Sequence, residues 1–234
     1  MRWVAAGLLV IAAIVIALML MMPSATIRYR LTLEALVEGQ RKTGSQVVEV
    51  GYHGHPKLLP NESEFSVSIK GQALLLDLGR SGFLLALLRE GNDVQSAPEG
   101  IALNALGKVG VQQPFGNRID QVRKLSGKVE LPLTNLPLLV RFRDLNAPLT
   151  VERVNPLDLE SSFGTGVKLV RATLEIVPAG IWPLNQFGWT GEPITTGLAE
   201  RLPWLKNLKG GYLGGGFTSK DAPLGLHEGN FERR

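Results

Sequence analysis

The 234-residue chain has no cysteine. That excludes disulfide staples, thiolate zinc and iron–sulfur ligation, thiol nucleophiles and an acylated lipoprotein cysteine. Charge of one sign is also scarce, since 25 basic residues face 21 acidic ones, leaving +4. So small and scattered an excess does not describe a nucleic-acid binder. All four methionines lie at or before Met22, so the rest of the chain lacks the soft thioether surface of promiscuous binders. Only three histidines are available as bases or metal ligands. What is abundant is punctuation: 27 glycines and 14 prolines imply many turns and little long helix.

One long hydrophobic run is present. Residues 3–22, WVAAGLLVIAAIVIALMLMM, carry no charge. As a helix at about 1.5 Å per residue, such a run spans about 30 Å, the thickness of a bilayer's hydrocarbon core. It is longer than a signal-peptide core, and Met22-Pro23-Ser24-Ala25 places proline at −3 of the nearest cleavage site. The reading is an uncleaved transmembrane signal anchor over 1–23. Trp3, Leu8, Leu9, Ile11, Ile14, Val15, Ile16, Leu18 and Leu20 are its lipid-facing bulk. Flanking charges do not set the orientation, because Arg2 and the α-amine oppose Arg28, Arg30, Arg41 and Lys42. A two-residue tail stays in the cytoplasm easily, whereas long C-terminal domains translocate regardless of charge, so the expected orientation is N-in, C-out.

Past Pro23 the pattern changes. Ile27, Tyr29, Leu31 and Leu33 alternate with polar residues, the period of a half-buried strand. Residues 38–44 read as a polar loop or hairpin connection, and 45–52 resume β-branched. Residues 65–70 alternate again, and 73–78 are more fully apolar. FLLALLR (83–89) fits a buried strand or a short helix. Residues 91–116 are irregular; 117–125 form a short amphipathic helix with Ile119, Val122 and Leu125 on one face. Further strands fall at 128–131, 138–143 and 150–154, with a hairpin turn over 144–148. Asn155-Pro156 begins a one-turn helix stopped by Gly164. In 167–177, Val167, Leu169, Arg171, Thr173 and Glu175 share one face of a long strand. Residues 178–193 are an aromatic loop, Thr195 or Thr196 caps a helix through Leu202, and 209–234 are a Gly-rich flexible tail. With no βαβ rhythm, the class is mainly β: a β-sandwich or open barrel-like domain over 24–208 with two or three short helices.

The segments VRFRDLNAPLTVERVNPLDLESSFGTGVKLVRATLEIV (140–177) and ITTGLAERLPWL (194–205), with RYRLTLE (28–34) after an apolar start, carry a resemblance. The chain resembles a recurrent type of bacterial membrane-anchored protein over most of residues 1–213. The resemblance implies a bacterial, membrane-tethered domain and brings no activity, ligand or catalytic residue with it.

Chemical signatures are thin. His53 and His55 form the best metal candidate, an H-x-H pair, but zinc needs further ligands from Glu62, Glu64 or Asp77. Solvent-facing loop histidines explain the pair as well. Gly79-Arg80-Ser81-Gly82 is one residue short of a nucleophile elbow, and Ser161–Gly166 lacks the lysine of a phosphate loop. Glu130, Asp144, Asp158, Glu160 and Glu175 are acids with ordinary surface, turn or helix-terminus roles. Arg141 and Arg143 could meet an anionic headgroup or a partner, though charged outer faces of strands are the ordinary case. Trp182, Phe187 and Trp189 are the best candidates for contact with a partner, against the alternative that they cover a sheet edge.

The functional expectation is a non-enzymatic, single-pass accessory or assembly subunit of a bacterial inner-membrane or envelope complex, its domain in the periplasm. Its partners would be the lipid bilayer and another membrane or envelope protein, with no nucleic acid and no cofactor. A tethered lipid- or small-molecule-binding β domain and a metal-dependent enzyme are the alternatives.

Overall fold

A computed structural model describes residues 23–54, 65–106, 115–181, 183–208, 210–214 and 222–234. Among these, no helix is long and apolar enough to cross a membrane. The expected anchor, residues 1–22 with Pro23 at its end, lies outside the described residues except for Pro23.

The chain is mainly β, built as two antiparallel sheets. In chain order the strands are β1 (Ser24–Val37), β2 (Gln40–Gly54), β3 (Phe65–Gln72), β4 (Leu74–Asp77), β5 (Phe83–Ala86), β6 (Lys128–Glu130), β7 (Leu139–Phe142), β8 (Val151–Arg153), β9 (Val167–Val177) and β10 (Glu232–Arg233). The larger sheet has the order β10-β3-β2-β1-β9-β6, and the smaller one β4-β5-β7-β8. Short helices decorate them: α1 (Ile101–Ala105), α2 (Phe115–Arg123), α3 (Glu160–Phe163), α4 (Leu198–Arg201) and α5 (Leu205–Leu208).

The two sheets read differently in sequence because they are buried differently. In the larger sheet one face is apolar and the other charged, so β1 alternates. Leu31, Leu33, Val48 and Val50 from this sheet share a core with Leu74, Leu76, Leu84 and Leu139 from the smaller one. The opposite face of the smaller sheet, with Leu85, Val140 and Phe142, is covered by Leu198, Leu202, Leu205 and Phe231. A sheet buried on both faces has no polar side to alternate with. That is why 73–76 and 83–88 are continuously apolar, and why FLLALLR is a strand over Phe83–Ala86.

Of the two readings of 38–44, loop or hairpin connection, the structure has the hairpin: β1 and β2 meet at a two-residue turn, Glu38–Gly39, with φ of 50° and 81°. Positive φ at both positions matches the twist of the strands, so pairing resumes at Gln40 despite the polar sequence. The face assignment in β9 fails midway. The register against β1 slips between Glu34 and Ala35, leaving Val170 as the extra residue of a bulge. Parity flips there, so Leu169, Ala172 and Leu174 all reach the core while Arg171 is exposed. Thr195 does not cap a helix; its hydroxyl accepts from Val47 N at 2.8 Å, and the helix starts at Leu198.

The C-terminal segment, expected as a flexible tail over 209–234, is packed where it is described. Phe231 is fully buried, and its ring meets Trp204 edge-on at 5.4 Å. Phe231 O accepts from Ala73 N at 2.7 Å, and β10 adds to β3. Glycines loosen a chain, but one large apolar side chain and a strand edge suffice to fix it.

Candidate interaction site

β1 is a central strand of the larger sheet, between β2 and β9, and its first residues are clamped from two sides. Pro23 O accepts from Gly54 N at 2.8 Å. Ser24 O accepts from Arg123 Nη2 at 2.7 Å and from Nε at 3.1 Å. The clamp begins at Pro23, the residue directly after the apolar run ending at Met22.

β9 runs antiparallel to β1, with Val177 opposite Arg28. The chain therefore leaves β9 at the end of the sheet where β1 begins. It forms a closed finger over residues 178–192. Glu192 N donates to Pro178 O at 2.8 Å and closes the neck. At Gly180, φ is 76° and an added Cβ would lie 2.4 Å from Thr190 O, so only glycine admits this approach. Above the neck, Ile181 N donates to Thr190 Oγ1 and Trp189 N to Leu184 O.

The base of the finger is locked to the charged face of the sheet. Arg28 is 2% exposed and its cross-strand partner Glu49 is 7% exposed. Arg28 Nε donates to Glu49 Oε2 at 2.8 Å, and Nη1 donates to the Glu192 carbonyl at 2.6 Å. Arg30 grips the Glu192 carboxylate at 2.6 Å and Glu175 at 3.3 Å, and its pKa rises above the ordinary guanidinium value chiefly through the bond to Glu192. Lys70 lies 4.0 Å from Glu49 and Lys128 3.9 Å from Glu175. Charges thus alternate from strand to strand under the finger, a pattern single-strand reading missed because each partner comes from a different segment.

The finger itself faces outward. Ile181 is 68% exposed, Phe187 66% and Trp189 76%. The Phe187 and Trp189 rings are paired with centroids 5.4 Å apart. Three large apolar side chains thus stand exposed on one short loop. The third expected member, Trp182, lies outside the described residues.

The other sequence candidates are dispersed. His53 is exposed with Nε2 3.2 Å from Ser68 Oγ, while His55, Glu62 and Glu64 lie outside the described residues. Asp77 accepts from Gly79 N in the turn between β4 and β5, where Ser81 also sits. Among the described residues, no three His, Asp or Glu side chains gather as a metal-binding group. Glu130 pairs with Arg171, Glu160 with Lys168, and Glu175 with Arg30. Asp144 and Asp158 accept backbone N–H groups in turns. Arg141 and Arg143 both grip Glu152, whose pKa they lower through these hydrogen bonds, Arg143 first. The Tyr29 and Tyr52 hydroxyls, whose pKa values burial raises, donate to Pro98 and Glu99 carbonyls and hold the segment before α1.

No protein-family model, curated protein or solved structure matches the chain. The class defined by fold and site is therefore the general one: a mainly β domain presenting an exposed apolar finger.

Proposed function

We propose that the protein is a membrane-tethered, non-enzymatic accessory subunit of a bacterial inner-membrane or envelope complex. In this reading the apolar run over 3–22 is a single-pass signal anchor and the β-sandwich-like body lies in the periplasm. The observation that carries the reading is the mount. With Pro23 alone between Met22 and the first residue of a central strand, at most about 7 Å of chain separates the end of the apolar run from the sheet. A body held so closely cannot range away from the bilayer; it is placed to brace or position a neighbour in the same membrane. Several acids and bases of the described sheets are paired with one another, as in the Arg28–Glu49 and Arg30–Glu192 pairs, which supports a structural use of charge.

The test is purification of the full chain from native membranes in mild detergent, with size-exclusion chromatography and mass spectrometry. The expected result is one envelope protein in constant ratio to this chain through successive columns. Recovery solely as a free monomer overturns the reading.

A further inference from the structure

We infer that the finger over residues 178–192 beds its apolar tip in the lipid headgroup region of the same bilayer that holds the anchor, giving the body a second membrane contact. The inference rests on the tethered reading and adds the occupant of the exposed loop.

Placement comes first. The strand register puts the finger at the same end of the larger sheet as Ser24, because Val177 pairs with Arg28 and the chain continues toward the start of β1. The apolar run ends at Met22, with only Pro23 between it and Ser24. An anchor leaving the body there brings the finger to the membrane surface. The opposite tip of the sheet, the Glu38–Gly39 turn, is a whole strand away, about 45 Å at 3.4 Å per residue over the 14 residues of β1.

Chemistry comes second. Tryptophan and other aromatic residues concentrate at membrane–water interfaces, where an apolar body sits among acyl chains and a polar edge stays wet. Trp189, Phe187 and Ile181 provide such a tip, and Trp3 stands at the other end of the apolar run. Lys124 is exposed just after Arg123, whose guanidinium holds Ser24. This cation suits an anionic headgroup layer. Stiffness comes third. The finger is closed at its neck and clamped through Glu192 to Arg28 and Arg30, so little ordering is needed to present its tip.

The absence of cysteine permits a clean test. Full-length F187C and Q40C chains carry one environment-sensitive fluorophore each and are reconstituted in phosphatidylethanolamine–phosphatidylglycerol vesicles without other protein. The lipids bear a doxyl quencher near the headgroup or deep in the acyl chain. Flotation with the vesicles reads the anchor separately. The expected result is flotation of both chains, with headgroup-level doxyl quenching the Phe187 site at least threefold more than the Gln40 site. I181S/W189S in the F187C background should float equally and lose most of that quenching. A chain that floats but shows equal, weak quenching at both sites overturns the finger contact while leaving the anchor intact. So does shielding of the Phe187 site from aqueous iodide without doxyl quenching, which signals a second copy of the chain instead of lipid. A chain that fails to float overturns the tethered reading and the finger contact together.

Discussion

Replacing Arg28 with methionine isolates the lock at the base of the finger. Methionine keeps much of the apolar stem and removes the guanidinium, leaving the Glu49 carboxylate, itself only 7% exposed, with Lys70 at 4.0 Å as its nearest cation. It also takes the Nη1 donor from the Glu192 carbonyl. Breaking a buried ion pair from one side costs about 3–5 kcal/mol, because the remaining charge stays buried without its partner. At about 2–4 °C per kcal/mol for a domain of this size, the melting temperature should fall by about 6–20 °C. Replacing both partners, in R28M/E49L, removes the stranded charge and should recover most of that loss. The finger would still lack the Arg28 half of its latch and be held through Arg30 and its neck, so limited proteolysis within 178–192 should quicken in both variants. Chemical denaturation of wild type, the two single variants and the double variant closes the cycle. An R28M protein within about 1 kcal/mol of wild type, or a double variant as unstable as the sum of the singles, refutes the assigned role of the pair.

Three further outcomes are expected. Phe231→Ala should destabilise the body by about 3–5 kcal/mol in urea titration, because the ring is fully buried against Phe142 and Trp204; a change below about 1 kcal/mol would mean the C-terminal segment is dispensable. Gly91→Ala should lower the thermal midpoint measurably, since its Cβ would fall 2.2 Å from Leu136 O, and a backbone carbonyl must move to admit it; an unchanged midpoint contradicts that approach. The His227 pKa is held below the ordinary imidazole value by burial first, then by Arg233 and Arg89. The unfolded chain therefore binds that proton more readily, so the stability this group contributes is present above about pH 6.5 and lost as pH falls through the depressed folded value. His227→Asn keeps an acceptor for Gly229 N without titrating, and its denaturation midpoints should fall less steeply than wild type between pH 7 and 5. Equal slopes would count against the assignment.

The legible parts of the fold are those where a local pattern and the tertiary environment agree. β1 alternates because one face of its sheet meets the core and the other meets paired charges. α2 was visible from Ile119 and Val122, which are indeed buried. The illegible parts depend on partners distant in sequence. The bulge at Val170 is set by register against β1, and no property of residues 167–177 alone reveals it. The polar stretch after Gly39 is a strand because Glu34 and its neighbours pair with it, as in the Arg41–Glu34 contact. Phe231 looked like part of a loose Gly-rich end, since nothing nearby announces that Phe142 and Trp204 wait for it. For the site, Phe187 and Trp189 could be picked out by residue type. Arg28 and Glu192, which fix the finger's base, could not, because they lie 164 positions apart.

By itself, the amino-acid order determined the uncharged run over 3–22, the strand-rich character of the chain beyond Pro23 and the exclusion of all cysteine chemistry. These are properties of composition and short-range period, which need no partner to exist. Whether the aromatic loop would be core or surface, which end of the body it would occupy, and what would hold it there were decided by the fold alone. Sheet register brings β9's exit beside β1's start, and a buried arginine ties the two together.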